Sequence, residues 1–321
     1  MKHAIFLFIF AAALSSACGD GLYDAYNALS GSLYAGKKQL FSAGGISFTM
    51  VGMPGGATFP TGVDDNGSAT VAASYWIGEA EVTFELWNTV CAWAGNPARG
   101  TMQYTFASAG AGVGNHYPVT NINWRDCMVW CNALTEWYNA MTGTGYTCVY
   151  QASGSPLRNS ESAAECDSVV PDAGASGFRL LSSDEWELAA RYKGADNTYG
   201  AKEMPTASGM FWTPGDYASG ATGESGEDEL NDPTNAVAWF DRNSSSSIKE
   251  VKTKKANALD IYDMSGNVHE WCFDLFDAMN RIRRGGAWNS QSGNLQVGDV
   301  FNNEPVTAAA TIGFRIARSH R

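Results

Sequence analysis

Hydrophobic and polar residues alternate over residues 46–51, and this pattern predicts a β-strand with one buried face. Pro54, Gly55 and Gly56 follow shortly afterwards and predict a turn. Residues 74–78 form a second short apolar run and predict a second strand. The folded domain is therefore expected to begin near residue 46.

Three further segments place apolar residues at helical spacing after a residue that favours a helix N-cap. Thr83 and Asn123 are the predicted N-caps of the first two helices. In the third, Ser182 and Glu185 have the spacing of a capping box, in which the two residues satisfy each other's backbone N–H groups. The second helix is predicted to bury one stripe, formed by Trp124, Cys127, Cys131, Leu134 and Tyr138.

Two long polar stretches lie between these elements. Residues 149–177 contain few apolar positions and predict a loop. Residues 193–256 are rich in Gly, Ser, Asn and Asp, and they are too long for a structureless loop inside a compact domain. We therefore expect a locally ordered insertion there, with the apolar run at residues 235–240 as its anchor.

The first residues carry signals for export. Residues 1–17 combine a short basic start, an apolar run and small residues, which is typical of a secretory signal peptide too short to span a membrane. Cys18 follows directly and resembles the lipidated cysteine of bacterial lipoproteins, although Ser15 stands where leucine is usual. We expect an exported lipoprotein at the outer membrane or cell surface, attached to the membrane through lipidated Cys18, with a tether over residues 18–45. The alternative is ordinary signal cleavage with Cys18 incidental.

Composition permits a large core and excludes one class of partner. Of the 321 residues, 45% are hydrophobic and 12% aromatic, which is enough for a packed domain. The formal net charge of -12 provides no basic footprint, so nucleic acid is not an expected partner.

The cysteines after Cys18 could be oxidised in an exported protein. Cys148 and Cys166 bracket a Ser- and Gly-rich stretch and are the predicted disulfide pair. No Cys-x-x-Cys pair is present, so a zinc site is not expected.

Several blocks, in order, resemble the formylglycine-generating-enzyme or sulfatase-modifying domain family. They are MVGMPGG at 50–56, IGEAEVTF at 77–84, YPVTNINW at 117–124, GFRLLSSDEWELAAR at 177–191, IYDMSGNVHEWC at 261–272, RGGAW at 284–288 and GFR at 313–315. The resemblance implies an α+β, C-type-lectin-like fold of the formylglycine-generating-enzyme subtype, loop-rich with little regular secondary structure. The domain would span residues 46–321.

The same resemblance argues against catalysis. Enzymes of the family bind copper through two cysteines shortly after the Gly-Gly-aromatic step, because soft thiolates suit Cu(I). Here Ser290 and Leu295 occupy those positions. The few histidines are scattered along the chain and do not make the cluster used by iron-dependent relatives. We therefore predict a protein that is not an enzyme and requires no cofactor. The alternatives are a formylglycine-generating-type oxidase and an envelope scaffold lipoprotein.

One structural metal site is implied by the resemblance. Family members wrap calcium with the motif to which Asp263, Gly266, Val268 and Glu270 correspond, and closely spaced oxygen ligands suit this cation. The alternative is that the two carboxylates only hydrogen-bond the turn.

The closing segment begins with RRGGAW and ends with IGFR, two motifs that look closely specified. The residues between them, at about 289–311, show almost no apolar periodicity and could tolerate many side chains. This layout resembles the variable proteins of diversity-generating retroelements, including a variable lipoprotein of a spirochaete. In these proteins adenine-directed mutagenesis diversifies a C-terminal binding segment. The corresponding ligand-binding positions are Asn289, Ser290, Gln291, Gly293, Asn294, Asp299, Phe301, Asn302, Asn303, Glu304, Val306, Thr307, Ala309, Ala310 and Thr311. Of these, Gln291 and Glu304 cannot arise from mutated Asn codons. The resemblance implies a surface protein that binds an unknown protein or other macromolecule, and the alternative is a polar loop without a selected role.

Overall fold

Short strands joined by long loops dominate the computed structural model, which describes residues 33–204, 208–226 and 232–320. The predicted signal peptide, Cys18 and the first part of the predicted tether lie outside the described residues. The helices are α1 Phe84–Ala94, α2 Trp124–Thr142, α3 Ala163–Ser168 and α4 Ser183–Arg191, with 3-10 turns at Pro97–Met102, Pro233–Ala236 and Ser292–Asn294. Within the described part of the chain, no helix is long and apolar enough to cross a membrane.

The strands are short and distributed along the whole chain. In order they are β1 Lys38–Ala43, β2 Ile46–Met53, β3 Ala57–Thr61, β4 Gly67–Val71, β5 Tyr75–Gly78, β6 Gln151–Ala152, β7 Ser155–Pro156, β8 Phe178–Leu180, β9 Tyr192–Gly194, β10 Lys202–Glu203, β11 Phe211–Trp212, β12 His269–Leu275, β13 Arg281–Arg284, β14 Phe301–Asn303, β15 Ile312–Phe314 and β16 Ile316–Ser319. The chain therefore has the predicted α+β, loop-rich class.

The main sheet joins the two ends of the domain. Its order is β1-β2-β5-β16-β8, so the last strand of the chain lies between strands from its first and middle parts. β16 pairs antiparallel with both neighbours. The sheet can therefore close only when the final residues of the chain are in place.

The first strand corrects the predicted tether. β1 pairs along its whole length with β2, with Phe41 opposite Phe48. The two rings stack with centroids 5.3 Å apart, and Phe41 is fully buried. The folded domain thus begins before residue 46, because Phe41 fills a core position that the sequence pattern did not reveal.

A second sheet, ordered β14-β13-β12-β15, carries the start and the end of the closing segment. β12 and β15 run parallel, whereas β13 is antiparallel to both β12 and β14. Pairing of β13 with β14 places Arg283 opposite Phe301.

The helices begin where the capping residues predict. Thr83 and Asn123 accept backbone N–H groups at the starts of α1 and α2, and Ser182 with Glu185 forms the predicted capping box of α4. The predicted stripe of α2 is buried except at Tyr138, which is partly buried.

Aromatic packing joins the helices to the closing segment. Trp87 of α1 stacks on Trp130 of α2 at 5.4 Å. Phe314 of β15 meets both indole rings edge-on, with centroids at 6.0 and 5.4 Å. The end of the closing segment is therefore part of the main core.

The described residues of the predicted insertion contain short strands. Its strands form a small sheet in the order β10-β11-β9. The anchor run contributes Val237, Ala238 and Phe240 to a separate apolar cluster, which also contains Leu295 of the closing segment.

The predicted disulfide is not formed. All six cysteines within the described residues are free thiols. Cys148 lies against the carbonyl oxygen of Asn132, whereas Cys166 lies against that of Asn159. The two thiols therefore face different parts of the fold, although they bracket one loop.

Candidate functional site

The closing segment is clamped at its front by a buried arginine. The Nε and a terminal nitrogen of Arg284 donate to Ser183 Oγ at 3.0 and 2.8 Å. Arg284 also forms a 2.6 Å ion pair with Glu187 of α4. Its other terminal nitrogen donates to the carbonyl oxygen of Asp299 at 2.8 Å. One side chain thus fixes both the strand that enters the segment and the backbone inside it.

A second buried arginine clamps the back. Arg315 forms a 2.7 Å ion pair with Glu270 of β12, and the two side chains are 0% and 1% exposed. Arg315 also donates to the carbonyl oxygens of Gly78 and Tyr262 at 2.9 and 2.8 Å. Glu270 accepts a further hydrogen bond from Trp186 Nε1 at 2.8 Å. Because both charged side chains are buried, removal of either one would leave the other charge without its ion-pair partner inside the protein.

Two glycines set the turn that follows Arg284. Gly285 and Gly286 have φ of +89° and +73°, a region that side chains other than glycine rarely adopt. A Cβ on Gly286 would lie 2.3 Å from Leu295 Cδ2. The turn therefore needs glycine both for its backbone conformation and for close approach.

The segment returns to the core at its midpoint. Leu295 and Val297 are fully buried. The backbone N–H of Val297 donates to the carbonyl oxygen of Tyr217 at 2.8 Å, and that of Gly298 donates to Gly215 at 2.9 Å. We call the buried residues that hold the segment its framework, namely Arg284, Gly285, Gly286, Leu295, Val297 and Arg315.

Every residue predicted to vary is at least partly exposed. Exposed positions are Asn289, Gln291, Asn294, Glu304, Val306 and Ala310, and the half-buried ones are Ser290, Gly293, Asp299, Phe301, Asn302, Asn303, Thr307, Ala309 and Thr311. We call this set the predicted variable face. None of its members is fully buried, in contrast to the framework, although Ala309 packs against the main core.

Backbone contacts hold the face in shape. The N–H of Thr307 donates to the carbonyl oxygen of Glu304 at 2.9 Å, and the carbonyl oxygen of Ala309 accepts from Asn121 at 3.0 Å. Trp288 Nε1 donates to the carbonyl oxygen of Ala310 at 3.2 Å. These contacts involve backbone atoms of the face and so do not depend on its side chains.

Two residues outside the predicted set complete the face. The ring of His269 meets that of Phe301 edge-on at 4.9 Å, and Arg283 lies over the same ring, 5.3 Å from its centroid. Arg283 Nε also donates to Asn303 Oδ1 at 2.7 Å. No local sequence pattern indicates this position of Arg283, because it depends on the pairing of β13 with β14.

Burial shifts the ionisation of groups at this face. It lowers the pKa of His269 to about 3, with a further contribution from the charge of Arg283. It lowers the pKa of Arg283 to about 10, which still leaves the guanidinium charged at neutral pH. Burial also raises the pKa of Asp299 to about 6, against a lowering effect of Arg284.

The two carboxylates of the predicted calcium site have different surroundings. Glu270 is already neutralised by Arg315. Asp263 accepts from the backbone N–H of Lys252 at 2.7 Å, and its second oxygen is buried without a partner. No group of three or more His, Cys, Asp or Glu side chains within the described residues could hold a metal. Gly266 and Val268 lie in the same turn, and the calcium site implied by the resemblance stays a prediction.

The positions that carry copper ligands in enzymatic relatives have local roles here. Ser290 Oγ accepts from the backbone N–H of Ala287 at 3.0 Å. Leu295 packs in the separate apolar cluster that also contains Val237, Ala238 and Phe240. Neither side chain offers a soft ligand to a copper ion.

Comparison with known proteins agrees with this arrangement. The structure of Treponema denticola variable protein 1 superposes with a TM-score of 0.63 at 28% identity, covering 88% of this chain and 99% of that one. Chaperone protein LppX of Paenibacillus barcinonensis is 28% identical over 283 residues, covering 85% of this chain and 90% of LppX. Inactive C-alpha-formylglycine-generating enzyme 2 of Bos taurus is 28% identical over 151 residues, which is 44% of each protein.

The predicted resemblances to the sulfatase-modifying family and to a spirochaete variable protein are thereby confirmed. The fold is that of the formylglycine-generating-enzyme subtype. Since residues 46–320 match the sulfatase-modifying factor enzyme 1-like domain, the chain belongs to that family.

Proposed function

We propose that this protein is a surface-displayed lipoprotein that binds a macromolecular ligand through the predicted variable face, and that a retroelement diversifies this face. One observation carries the proposal. All positions predicted to vary are at least partly exposed, while the framework between and around them is buried. Substitutions at exposed positions change stability little, so many sequences could occupy the face on one fold.

The chemistry of the face suits binding of another macromolecule. Phe301 offers aromatic area, Asn302 and Asn303 offer adaptable hydrogen bonding, and Glu304 and Val306 extend the exposed surface. Antibody loops combine aromatic and small polar residues for the same reasons. Loops on a rigid scaffold are also where binding sites concentrate.

Membrane attachment through lipidated Cys18 is the second part of the proposal. It rests on the export signal at residues 1–17 and on the small residues before the cysteine. A lipid anchor would hold the domain at the outer membrane or cell surface, where a macromolecular ligand is accessible.

The proposed function is non-catalytic. Ser290 and Leu295 replace the copper-binding cysteines, and both side chains are engaged locally. The similarity to the bovine protein named inactive C-alpha-formylglycine-generating enzyme 2 is compatible with this view. An oxidase of the formylglycine-generating type remains the alternative, and stoichiometric copper in the purified protein would favour it.

Sequencing tests the diversification directly. In cells that carry the gene, codons 284–315 are sequenced in many independent clones, together with the flanking DNA. We expect a nearby reverse transcriptase, an adenine-rich near-copy of this segment, and substitutions confined to the predicted variable face. Leu295 and Val297 serve as internal controls because they lie inside the segment but are buried. Equal substitution at these controls, or absence of the near-copy, would contradict the proposal.

Detergent partitioning tests the anchor. Wild-type protein is expected to enter the detergent phase of a phase-separating detergent, and Cys18→Ala is expected to remain in the aqueous phase. A Cys148→Ala variant provides the matched control, since Cys148 is a buried free thiol of the domain. Equal partitioning of wild type and Cys18→Ala would exclude lipid attachment at Cys18.

A further inference from the structure

Arg283 lies against the predicted variable face and has no ion-pair partner among the described residues. Arg283 contacts Phe301 and Asn303, the side chains of two predicted variable residues. Arg284, its neighbour in sequence, is by contrast paired with Glu187. Among the described residues, no carboxylate forms an ion pair with Arg283, and burial alone accounts for its lowered pKa.

The terminal nitrogens of Arg283 are available. Its Nε donates to Asn303 Oδ1, but neither terminal nitrogen has a hydrogen-bond partner among the described residues. Neither is among the buried side-chain atoms that lack a partner, so solvent reaches both. A guanidinium presents its two terminal N–H groups in a planar fork that matches a carboxylate.

A second polar atom of this face also lacks a partner. Nδ1 of His269 is buried beside the ring of Phe301 without a hydrogen bond, although the histidine is only 7% exposed. Buried polar groups in proteins are nearly always satisfied. The unpartnered Nδ1 of His269 therefore lies beside the same ring that Arg283 covers.

We propose that Arg283 is a fixed carboxylate-binding residue of the site, so that the ligand presents an Asp or Glu side chain, or a chain terminus, to its free nitrogens. This inference rests on the proposed binding function and names the chemistry that the site recognises. A carboxylate is preferred over a phosphate because Arg283 supplies one positive charge, which matches one negative charge.

The position of Arg283 separates two tasks within the site. It lies on β13, outside the segment predicted to vary, and so its charge remains when the face changes. Phe301 and Asn303 determine how far the guanidinium is covered. The framework strand would supply affinity for an acidic group, and the variable residues would supply selectivity around it.

Titration with a small carboxylate tests the assignment. Sodium acetate is added to the isotope-labelled full chain at constant ionic strength, and the Nε–Hε resonance of Arg283 is followed by NMR, with neutral acetamide as the matched probe. We expect a saturable shift with acetate and none with acetamide. For one charge-assisted contact, we expect a dissociation constant on the order of tens of millimolar.

Arg318 provides an internal control for general attraction of anions. It lies over the ring of Tyr146 at 4.0 Å, donates to the carbonyl oxygen of Ser176, and forms no ion pair among the described residues. It belongs to β16 and not to the predicted variable face. Equal responses of Arg283 and Arg318 would overturn the proposal, as would a response to phosphate at a tenfold lower concentration than to acetate.

Variants distinguish the subsite from a structural role of Arg283. Arg283→Gln is expected to abolish the acetate-dependent shift of the Asn303 side-chain amide, whereas Arg283→Lys keeps a weaker response. Loss of the acetate response in both variants together with a changed free-protein spectrum would indicate a structural role and overturn the proposal. If the sequencing test above succeeds but acetate does not bind, only this inference fails, and the proposed function stands.

Discussion

At the scale of single residues, the molecule depends on buried charges that are fully paired. Glu270 and Arg315 neutralise each other in the interior, and both make further hydrogen bonds. Glu187 likewise joins Arg284 to Arg191. These pairs hold elements that are distant in sequence, so their loss should affect the whole fold.

Replacement of Glu270 by Gln tests this dependence. The variant leaves the guanidinium of Arg315 buried without a counter-charge, so the free energy of unfolding is expected to fall by about 3–5 kcal/mol. Urea denaturation measures the change. Glu304→Gln is the matched control, because Glu304 is exposed, and it should change stability by less than about 0.5 kcal/mol. Similar effects of the two substitutions would contradict the role of the buried pair.

Asp299 is expected to make the stability of the folded protein depend on pH. Its pKa in the folded protein is about 6, above the ordinary value of 3.8, because burial disfavours the charged form. Its contribution to stability is therefore fully present below pH 4 and is lost as pH rises through 6. Solvent screening at this half-buried group limits the effect to roughly 1 kcal/mol.

The Asp299→Asn variant isolates that contribution. Its stability relative to wild type is expected to increase between pH 4 and pH 7, because the variant has no carboxyl group to ionise. Urea unfolding of both proteins across this range measures the difference. A difference that stays constant with pH would show that Asp299 titrates normally.

At the scale of elements, the closing segment is a loop fixed at its front, midpoint and back. The glycine turn after Arg284 is the tightest part of this arrangement. Leu295 packs directly against it, so the turn and the midpoint anchor support each other.

Gly286→Ala tests the turn. The new methyl group would meet Leu295 and Asn294 at a positive φ, and we expect a loss of at least about 1–3 kcal/mol in unfolding free energy. Gly293→Ala is the matched control, since nothing lies within 4 Å of a Cβ there and its φ is outside the left-handed region. In thermal unfolding, Gly286→Ala should have a clearly lower midpoint temperature than Gly293→Ala. Equal midpoint temperatures would contradict the backbone strain expected at position 286.

The sequence predicted the elements with local signals and missed those that depend on distant contacts. Caps at Thr83, Asn123 and Ser182 involve residues within a few positions, and all were confirmed. β1 was assigned to a tether because its only core aromatic, Phe41, finds its partners across the sheet.

The same limit applies to the site. Exposure of the closing segment followed from its polar pattern and from family resemblance. The position of Arg283 depended on the pairing of β13 with β14, which no local pattern encodes. The predicted Cys148–Cys166 disulfide failed for a related reason, since closeness in sequence did not make the two thiols face each other.

At the scale of the whole molecule, the fold separates the buried framework from the predicted variable face. The framework is buried, whereas the predicted variable face contacts it chiefly through backbone atoms. Changes confined to the face should therefore leave cooperative unfolding intact.

A combined variant tests this separation. Asn302→Ser, Val306→Thr, Thr307→Asn and Ala310→Ser together are expected to change the unfolding free energy by less than about 1 kcal/mol. Leu295→Ala alone should cost about 2–5 kcal/mol, because it opens a cavity in a fully buried cluster. Calorimetry on the two proteins provides the comparison. A large collective loss in the combined variant would place the face inside the core.

The central position of β16 has a consequence for synthesis. A chain that stops anywhere within residues 289–311 lacks both β15 and β16, so β5 and β8 lose the strand that joins them. Such a truncated product would expose unpaired strand edges and would be a substrate for proteolysis. Only chains translated through residues 289–311 and on to β16 could complete the main sheet, and the last strand therefore acts as a check that the predicted variable face is present in every folded copy.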